Sequence, residues 1–425
     1  MPLILKNGRL FDPGTGRDEI GDLVIHNDRI RDLGPRIAAE GPGVLDCSGL
    51  VIAPGLLDAH VHLREPGQEY KETIATGTRA AVAGGFTAVA AMPNTQPVND
   101  HAGITTLLTQ RARELGNARV YPIGAITAGS RGEQLAAIGA MRAAGAVAIS
   151  DDGRPVMNGQ IMRRAMEYAA MHQMPVIEHA EDLHLSAGGV MHEGPASYRL
   201  GLAGISSASE AALVARDLLL AEQTGCHLHI AHISAAATVR LLAEAKSRGV
   251  RVTAEVTPHH LTLCDEDVRD YDPNFKMNPP LRSAADREAL IAGLAEGVID
   301  MIATDHAPHA AHEKQQEFER APFGVIGLET ALPLGLALVR AGRLTLRRLL
   351  AALSLAPARL FGLPDPTLEP GHIADLTVFD PEREWLCAPA ALHSKSHNSP
   401  FLGWRLTGRA VHTIVGGRVV YSLAE

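Results

Sequence analysis

The stretch Leu56-Leu57-Asp58-Ala59-His60-Val61-His62-Leu63-Arg64 decides the fold, because an apolar run ends there in two histidines spaced two residues apart. Residues two apart in a strand point to the same face, so the imidazoles of His60 and His62 are expected side by side. Neutral imidazole is the commonest metal ligand, and the pair therefore predicts half of a metal site at a strand end. For an isolated pair, the alternative is two polar residues that simply end a strand.

Seven further short apolar runs follow, and they alternate with longer helical stretches rich in Ala and Leu. This alternation is typical of βα units that build a parallel sheet. Eight runs between positions 52 and 305 match the roughly 250 residues of a (β/α)₈ barrel. We therefore predict an α/β fold, a (β/α)₈ TIM barrel. The predicted core strands end within the segments 56–60, 88–92, 120–124, 146–150, 176–179, 228–232, 252–256 and 301–305.

Both ends of the chain differ from the middle, because they consist of short strand-like runs separated by Gly, Pro, Asn and Asp. We expect the two ends to form one small β-sandwich domain. The predicted division is residues 1–52 for its N-terminal part, 53–365 for the barrel and 366–425 for its C-terminal part.

Composition excludes several classes of partner. The chain has 39 basic and 48 acidic residues, a net charge of −9, and no Lys/Arg cluster, which argues against nucleic acid. It has no apolar run long enough for a bilayer and no signal-like start, so no membrane partner is expected. The four cysteines lie far apart without a CxxC pair, which favours the reducing cytoplasm over a disulfide framework.

Polar residues recur at the equivalent place in other βα units. Asp151-Asp152 follows the fourth run, His179 ends the fifth, His232 ends the sixth and Asp305 ends the eighth. The C-terminal ends of barrel strands meet at one mouth. One such histidine could be a core residue bonded to a carbonyl, but four histidines and carboxylates in equivalent positions predict a metal centre. Nitrogen and oxygen ligands without thiolate suit Zn²⁺ and also allow Mn²⁺, Co²⁺ or Fe²⁺.

Several motifs resemble those of the dihydroorotases of the longer bacterial type (class I), in the amidohydrolase superfamily. The likeness runs from about residue 3 to the end of the chain, and residues 371–376 resemble the superfamily's return into its small β domain. The motifs that carry it are Asp58-Ala59-His60-Val61-His62-Leu63-Arg64-Glu65-Pro66-Gly67, Met92-Pro93-Asn94-Thr95, Asn278-Pro279-Pro280-Leu281-Arg282 and Thr304-Asp305-His306-Ala307-Pro308-His309.

The resemblance implies a binuclear metal centre, with two Zn²⁺ expected per subunit. It places one metal on His60, His62 and Asp305 and the other on His179 and His232. Many relatives, including hydantoinases and allantoinases, bridge the metals with a carboxylated lysine after the fourth strand. This chain has no lysine between positions 72 and 245. Asp152 is the natural replacement, and Asp151 remains its competitor.

The resemblance also implies the reaction, which is reversible hydrolysis of the cyclic amide of (S)-dihydroorotate to N-carbamoyl-L-aspartate in de novo pyrimidine (UMP) biosynthesis. A hydroxide that bridges the two metals would attack the amide, with Asp305 as the catalytic general acid/base. The alternative is that Asp305 is a ligand only. The predicted substrate-binding residues are His62, Arg64, Asn94, Asn278, His309, Phe323 and Gly324.

Simpler alternatives exist for Asn94, for Asn278 and for the loop 310–324. Arg64 suits a substrate carboxylate, but Asn94 could be a turn residue after Pro93, and Asn278 could only shape a loop before two prolines. The long polar loop 310–324 could be an active-site lid or a solvated excursion.

Two other functions are alternatives to the dihydroorotase hypothesis. One is another cyclic amidase, a hydantoinase or allantoinase, against which the missing lysine speaks. The other is a metal-free structural partner of aspartate transcarbamoylase. Such a protein is expected to lack some of the metal ligands, whereas this chain has all six candidate residues. The resemblance also leads us to expect a homodimer and allows a complex with aspartate transcarbamoylase.

Overall fold

The computed structural model describes residues 2–37 and 43–424. Its strands in chain order are β1 (Leu3–Asp12), β2 (Arg17–His26), β3 (Arg29–Gly34), β4 (Gly43–Asp46), β5 (Val51–Pro54), β6 (Leu56–Val61), β7 (Phe86–Ala91), β8 (Arg119–Gly124), β9 (Ala148–Ser150), β10 (Val176–Glu178), β11 (Met191–His192), β12 (Gly204–Ile205), β13 (Leu228–Ile230), β14 (Val252–Val256), β15 (Met301–Ile302), β16 (Leu376–Leu386), β17 (Arg405–Val415) and β18 (Arg418–Ser422).

The helices lie mainly between the strands of the middle region. They are α1 (Ile74–Ala83), α2 (Ala102–Leu115), α3 (Ile138–Ala143), α4 (Gly159–Met171), α5 (Pro195–Leu200), α6 (Ser207–Thr224), α7 (Ala236–Ser247), α8 (Pro258–Thr262), α9 (Ala284–Glu296), α10 (Ala311–Lys314), α11 (Ala331–Arg340), α12 (Leu346–Leu353) and α13 (Leu355–Leu360), with 3₁₀ turns at Ala128–Ser130, Asp265–Asp267, Pro273–Phe275 and Pro389–Ala391. No helix in the described ranges combines the length and apolar character needed to cross a membrane.

The eight predicted core strands all form, and they make one parallel sheet in the order β6-β7-β8-β9-β10-β13-β14-β15. The sheet closes on itself between its first and last members. Val61 bridges to His306 in parallel, and the His62 N–H donates to the His306 carbonyl at 2.9 Å. The predicted (β/α)₈ barrel is therefore confirmed, and closure brings residues 60–62 next to 305–306.

Several barrel strands stop short of the predicted ends. β13 ends at Ile230 and β15 at Ile302, before His232 and Asp305. Both of these residues have left-handed backbone, with φ of +29° and +48°. This conformation turns the chain out of the extended ladder, so the predicted ligands lie just beyond the strands.

Alternating residues of the barrel strands face two different cores. Leu57, Ala59, Ala88 and Ala90 share a buried cluster with Phe361 after α13, on the inner side of the barrel. Leu56, Val61, Val89 and Ala91 of the same strands belong to the large cluster that packs against the helices. Period-two alternation with both faces apolar is expected for strands buried on both sides.

The two chain ends build one β-sandwich domain, as predicted, with the strand path β18-β17-β16-β5-β1-β2-β3 and β4 paired to β1. β5 joins the ends, since it pairs in parallel with β1 and antiparallel with β16. Phe11, Val51 and Phe379 of this sheet belong to the same buried cluster as the barrel helices. The core is therefore continuous between the sheet and the barrel, and the exact domain limits at 52 and 365 stay a prediction.

Phe379 tests this continuity, because it is fully buried in β16 within the shared cluster. We expect Phe379→Ala to lower the free energy of unfolding by about 3–5 kcal/mol through lost apolar burial and the cavity left behind. Denaturant unfolding followed by circular dichroism measures this. Ile20→Ala is the matched control, since Ile20 lies in β2 with 63% of its surface exposed, and a comparable loss in the control would contradict the argument.

Candidate metal centre

The side chain of Asp152 lies at the centre of a group of histidines at the barrel mouth. Its Oδ1 is 3.5 Å from His60 Nε2, 3.5 Å from His232 Nε2 and 3.6 Å from His179 Nδ1. Its Oδ2 is 3.5 Å from His62 Nε2. These side chains come from the ends of four different βα units, and barrel closure brings them together.

Asp305 faces the same centre from the eighth unit. Its Oδ1 is 3.0 Å from His62 Nε2 and 3.6 Å from His60 Nε2. On the other side of Asp152, His179 Nδ1 and His232 Nε2 are 2.9 Å apart. The structure therefore brings all six predicted ligands together, in two adjoining groups. The potential ligand atoms lie within 4.8 Å of one another in the set His60, Asp152 and His232, and likewise in the set His60, His62 and Asp305.

Two atoms of this group test whether a cation fits. His60 Nε2 and Asp152 Oδ1 are buried and have no hydrogen-bond partner. Buried polar atoms without a partner are rare, and they call for an ion or water. A divalent cation would satisfy both lone pairs, and a set of imidazole and carboxylate donors without thiolate is the set that zinc-like metals accept. The residues present therefore fit a divalent metal centre.

Neighbouring aspartates separate into two environments. Asp151 accepts hydrogen bonds from the backbone N–H groups of Ile126 at 2.8 Å and Thr127 at 3.1 Å, and from the Thr127 hydroxyl. These bonds hold its carboxylate against the loop after β8, whereas Asp152 faces the histidines. The geometry favours Asp152 over Asp151 as the ligand, and its bridging role stays a prediction.

Three predicted site residues adopt left-handed backbone although none is glycine. The φ angles are +62° at Arg64, +29° at His232 and +48° at Asp305. Such conformations cost about 1–3 kcal/mol each and persist where surrounding contacts over-determine them, often at functional sites. Here they turn these side chains toward the mouth immediately after the strands.

Glu255 supports the centre from behind and was missed in the sequence. Its carboxylate accepts from His60 Nδ1 at 2.7 Å, from His229 Nε2 at 3.1 Å and from the His232 N–H at 3.2 Å. Burial alone would raise the pKa of Glu255, but the neighbouring His60 and His229 bring it well below its ordinary value. The ionised carboxylate fixes the His60 proton on Nδ1, which leaves Nε2 for the metal. A glutamate inside the strand-like run 252–256 was the available signal, because a charged residue at such a position is rarely buried without a partner.

Glu181 is a second missed residue on the opposite side. Its Oε2 lies 3.2 Å from His179 Nε2 and accepts from Asn278 Nδ2 at 2.8 Å. Burial opposes ionisation of Glu181, but His179 lowers its pKa to about 2. Its position two residues after His179 repeats the spacing that identified His62, so the same rule would have found it.

A cavity of about 210 Å³ opens beside the centre, and every predicted substrate-binding residue lines it. His60 is fully buried outside this lining. Burial lowers the pKa of Arg64, and the carboxylates of Asp305 and Asp152 oppose that shift. Burial and the charge of Arg64 lower the pKa of His309 to about 2, so His309 is neutral. The lining residues predicted from the sequence are His62, Arg64, Asn94, Asn278, His309, Phe323 and Gly324.

The two predicted asparagines contact metal-site residues in the structure. With His62 Nε2 turned to Asp305, the His62 ring donates from Nδ1 to Asn94 Oδ1 at 2.9 Å. Asn94 Nδ2 lies 3.4 Å from the Asp152 side chain. Asn94 thus orients a predicted ligand as well as lining the cavity, and Asn278 is tied to Glu181. Their contacts with substrate stay predictions.

The loop 310–324 packs against the protein through a buried ammonium group. Lys314 Nζ donates to the carbonyls of Pro273 at 2.9 Å, Lys276 at 3.2 Å and Pro322 at 2.8 Å. Three carbonyl acceptors match the three protons of an ammonium group. The loop is therefore not simply a solvated excursion, and its role as a lid stays a prediction.

Known proteins resemble this chain along nearly its whole length. Residues 49–238 match the family model described as "Dihydro-orotase-like". The chain is 55% identical over 422 residues to a dihydroorotase of Anaeromyxobacter sp. (strain K), covering 99% of this chain and 98% of that one. It is 53% identical to a dihydroorotase of Geobacter sp. (strain M21), with 99% of each covered.

Solved structures share the whole architecture. An L-hydantoinase (dihydropyrimidinase) from Arthrobacter aurescens superposes with a TM-score of 0.88 at 27% identity, covering 100% of this chain and 97% of that one. A D-hydantoinase (dihydropyrimidinase) from Thermus sp. gives 0.82 at 25% identity, with the same coverage. The barrel, the β-sandwich and the histidine–aspartate cluster define a metal-dependent cyclic amidohydrolase. Within that class, the chain belongs to the dihydroorotase family.

The contact between Glu255 and His60 generates a prediction about metal retention. Glu255→Gln removes the charge that fixes the His60 tautomer, so we expect metal affinity to fall about 10–100-fold. Metal content measured during a chelator titration, with circular dichroism to verify folding, reports this directly. Glu114→Gln is the control, since the Glu114 side chain is 65% exposed on α2. Metal retention equal to that of the unchanged protein would refute the role of Glu255.

Proposed function

We propose that this protein catalyses the reversible hydrolysis of (S)-dihydroorotate to N-carbamoyl-L-aspartate in de novo pyrimidine biosynthesis. The observation that carries the proposal is Arg64, which lines the cavity beside the metal centre. Its Nε donates to the Pro308 carbonyl at 3.1 Å, and its Nη2 is 3.4 Å from His309 Nε2. No carboxylate in the described part of the chain lies within the 4.0 Å ion-pair distance of its nitrogens.

A largely buried guanidinium without a carboxylate partner is costly unless an anion reaches it. The ring carboxylate of dihydroorotate supplies that anion. Hydantoin itself and its uncharged derivatives do not. The proposal therefore assigns the substrate carboxylate to Arg64, with His309, Asn94 and the backbone near Phe323-Gly324 around it, and Asn278 to the ring.

In the proposed mechanism Asp305 moves the protons. Divalent metal at the centre would supply polarisation of the amide carbonyl and activation of water. Burial alone would raise the pKa of Asp305, but the adjacent His62 and the nearby His60 lower it to about 2. The ionised carboxylate takes a proton from the attacking water and passes it to the ring nitrogen as the C–N bond breaks. His62 orients Asp305 through the 3.0 Å contact.

Further features of the proposal follow the family. We propose zinc as the metal, two ions per subunit, with Asp152 as the bridge. The protein is proposed to be a cytoplasmic homodimer that is able to form a complex with aspartate transcarbamoylase. The proposed domain division is 1–52 and 366–425 for the β-sandwich and 53–365 for the barrel.

Substrate choice tests the proposed function. We expect zinc-loaded protein to hydrolyse dihydroorotate and to close N-carbamoyl-L-aspartate, and to leave hydantoin and allantoin unchanged. Ring opening and closure are followed by ultraviolet absorbance or chromatography. Turnover of hydantoin without turnover of dihydroorotate would replace the proposal with a hydantoinase. Less than one metal per chain with no rescue by Zn²⁺ would favour the scaffold role.

Asp305→Asn tests the proton carrier. Asparagine is isosteric and tolerates the left-handed backbone at this position, so the fold should be preserved. Loss of the general base predicts a fall in kcat of about 10²–10⁴-fold. Steady-state kinetics at matched metal content measures it, with the exposed Asp28→Asn as control. Near-normal turnover of Asp305→Asn would remove Asp305 from the mechanism.

A further inference from the structure

We propose that Asn398 is a positioning residue for the end of the active site that receives the substrate carboxylate, an inference that rests on the proposed function. Asn398 belongs to the connection between β16 and β17, which is part of the chain's C-terminal region. That connection runs along the loops of the barrel mouth: the Ser396 hydroxyl donates to the Lys71 carbonyl at 2.7 Å. Only 5% of Asn398 is exposed.

The carboxamide of Asn398 joins two separate loops. Its Nδ2 donates to the carbonyls of Ala307 and Gly324, both at 3.0 Å, and its Oδ1 accepts from the His309 N–H at 3.0 Å. Its backbone carbonyl also accepts from the Ile326 N–H at 2.9 Å. One side chain therefore holds the loop after β15 and the far end of loop 310–324 in a single arrangement.

The chemistry of this position requires an amide. Two donors and an acceptor lie in one plane of a carboxamide, whereas a carboxylate only accepts and a hydroxyl has a single donor. Each of the three backbone groups is buried beside the cavity, and a buried donor or acceptor without a partner costs about 1–3 kcal/mol. Asn398 satisfies all three together.

The loop after β15 and the end of loop 310–324 are closely packed at this point. His309 Nε2 donates to the Phe323 carbonyl at 2.8 Å. A Cβ added at Gly324, whose φ is +129°, would lie 2.8 Å from the Ala307 Cβ and 3.1 Å from His309 Nε2. Pro308 lies between Ala307 and His309, and its carbonyl accepts from Arg64 Nε. A shift of the contact between the two loops therefore moves His309 and this Pro308 carbonyl together.

The metal centre has its own supports and should not follow that shift. Asp305 contacts His62 directly. The next residue, His306, accepts from the Gly327 N–H at 3.2 Å through Nδ1 and lies 3.4 Å from the buried Glu72 through Nε2. We therefore expect loss of Asn398 to weaken substrate binding and to leave the metal and the proton transfer in place.

Two variants test this positioning role in full-length, zinc-loaded protein. Asn398→Ala removes all three bonds, whereas Asn398→Asp keeps an acceptor for His309 and places an oxygen against the Ala307 and Gly324 carbonyls. We expect KM for dihydroorotate and for N-carbamoyl-L-aspartate to rise at least tenfold in both variants. The change in kcat should stay within threefold, with metal content unchanged. Asn117→Ala, remote from the mouth, is the matched control and should behave as the unchanged protein.

Hydrogen exchange of the His309 amide adds a readout that needs no substrate, and it should be faster in Asn398→Ala than in Asn398→Asp. Unchanged KM in folded variants overturns the proposal. A joint fall of kcat and metal content, or failure of both variants to fold, assigns Asn398 a general structural role and also overturns it. If the unchanged protein itself fails to turn over dihydroorotate, the proposed function is rejected first, and the inference about Asn398 falls with it.

Discussion

The buried carboxylate of Asp152, facing four imidazoles, is the interaction on which the barrel mouth depends. A desolvated carboxylate costs several kcal/mol unless strong partners surround it. The contacts of 3.5–3.6 Å with His60, His179 and His232 are too long for hydrogen bonds and suit a shared cation. These groups stay close together only if other residues fix their positions. The remaining contacts of the site orient the ligands and hold the surrounding loops.

The supports form successive layers outward from the centre. Glu255 orients His60, and Asn94 orients His62. Farther out, Lys314 holds loop 310–324, and Asn398 joins the end of that loop to the loop after β15. The last of these belongs to the C-terminal region, so the β-sandwich and its connections take part in shaping the mouth as well as covering the barrel.

Fold and substrate are decided by different parts of the molecule. Hydantoinases at about 27% identity share the architecture, while dihydroorotases at 55% identity share the sequence through nearly the whole chain. A common barrel can host several cyclic amides, because its strands and helices place ligands without choosing the substrate. In this chain we propose that the choice depends on local residues, and Arg64 and Asp152 are the two on which that proposal rests.

What the sequence by itself determined was local. Period-two spacing identified His60 and His62, repetition of βα units placed Asp152, His179, His232 and Asp305 at one mouth, and the absence of lysine from 72 to 245 pointed to an aspartate. Only the tertiary structure separated the environments of Asp151, which is bonded to the loop after β8, and Asp152, which faces the histidines, because adjacent residues differ in where the turn points their side chains. It alone revealed Glu255, 195 residues from His60, and Asn398, 89 residues from His309. Such partners meet only when the barrel closes, and no short-range pattern records which distant backbone or side-chain group each one will satisfy.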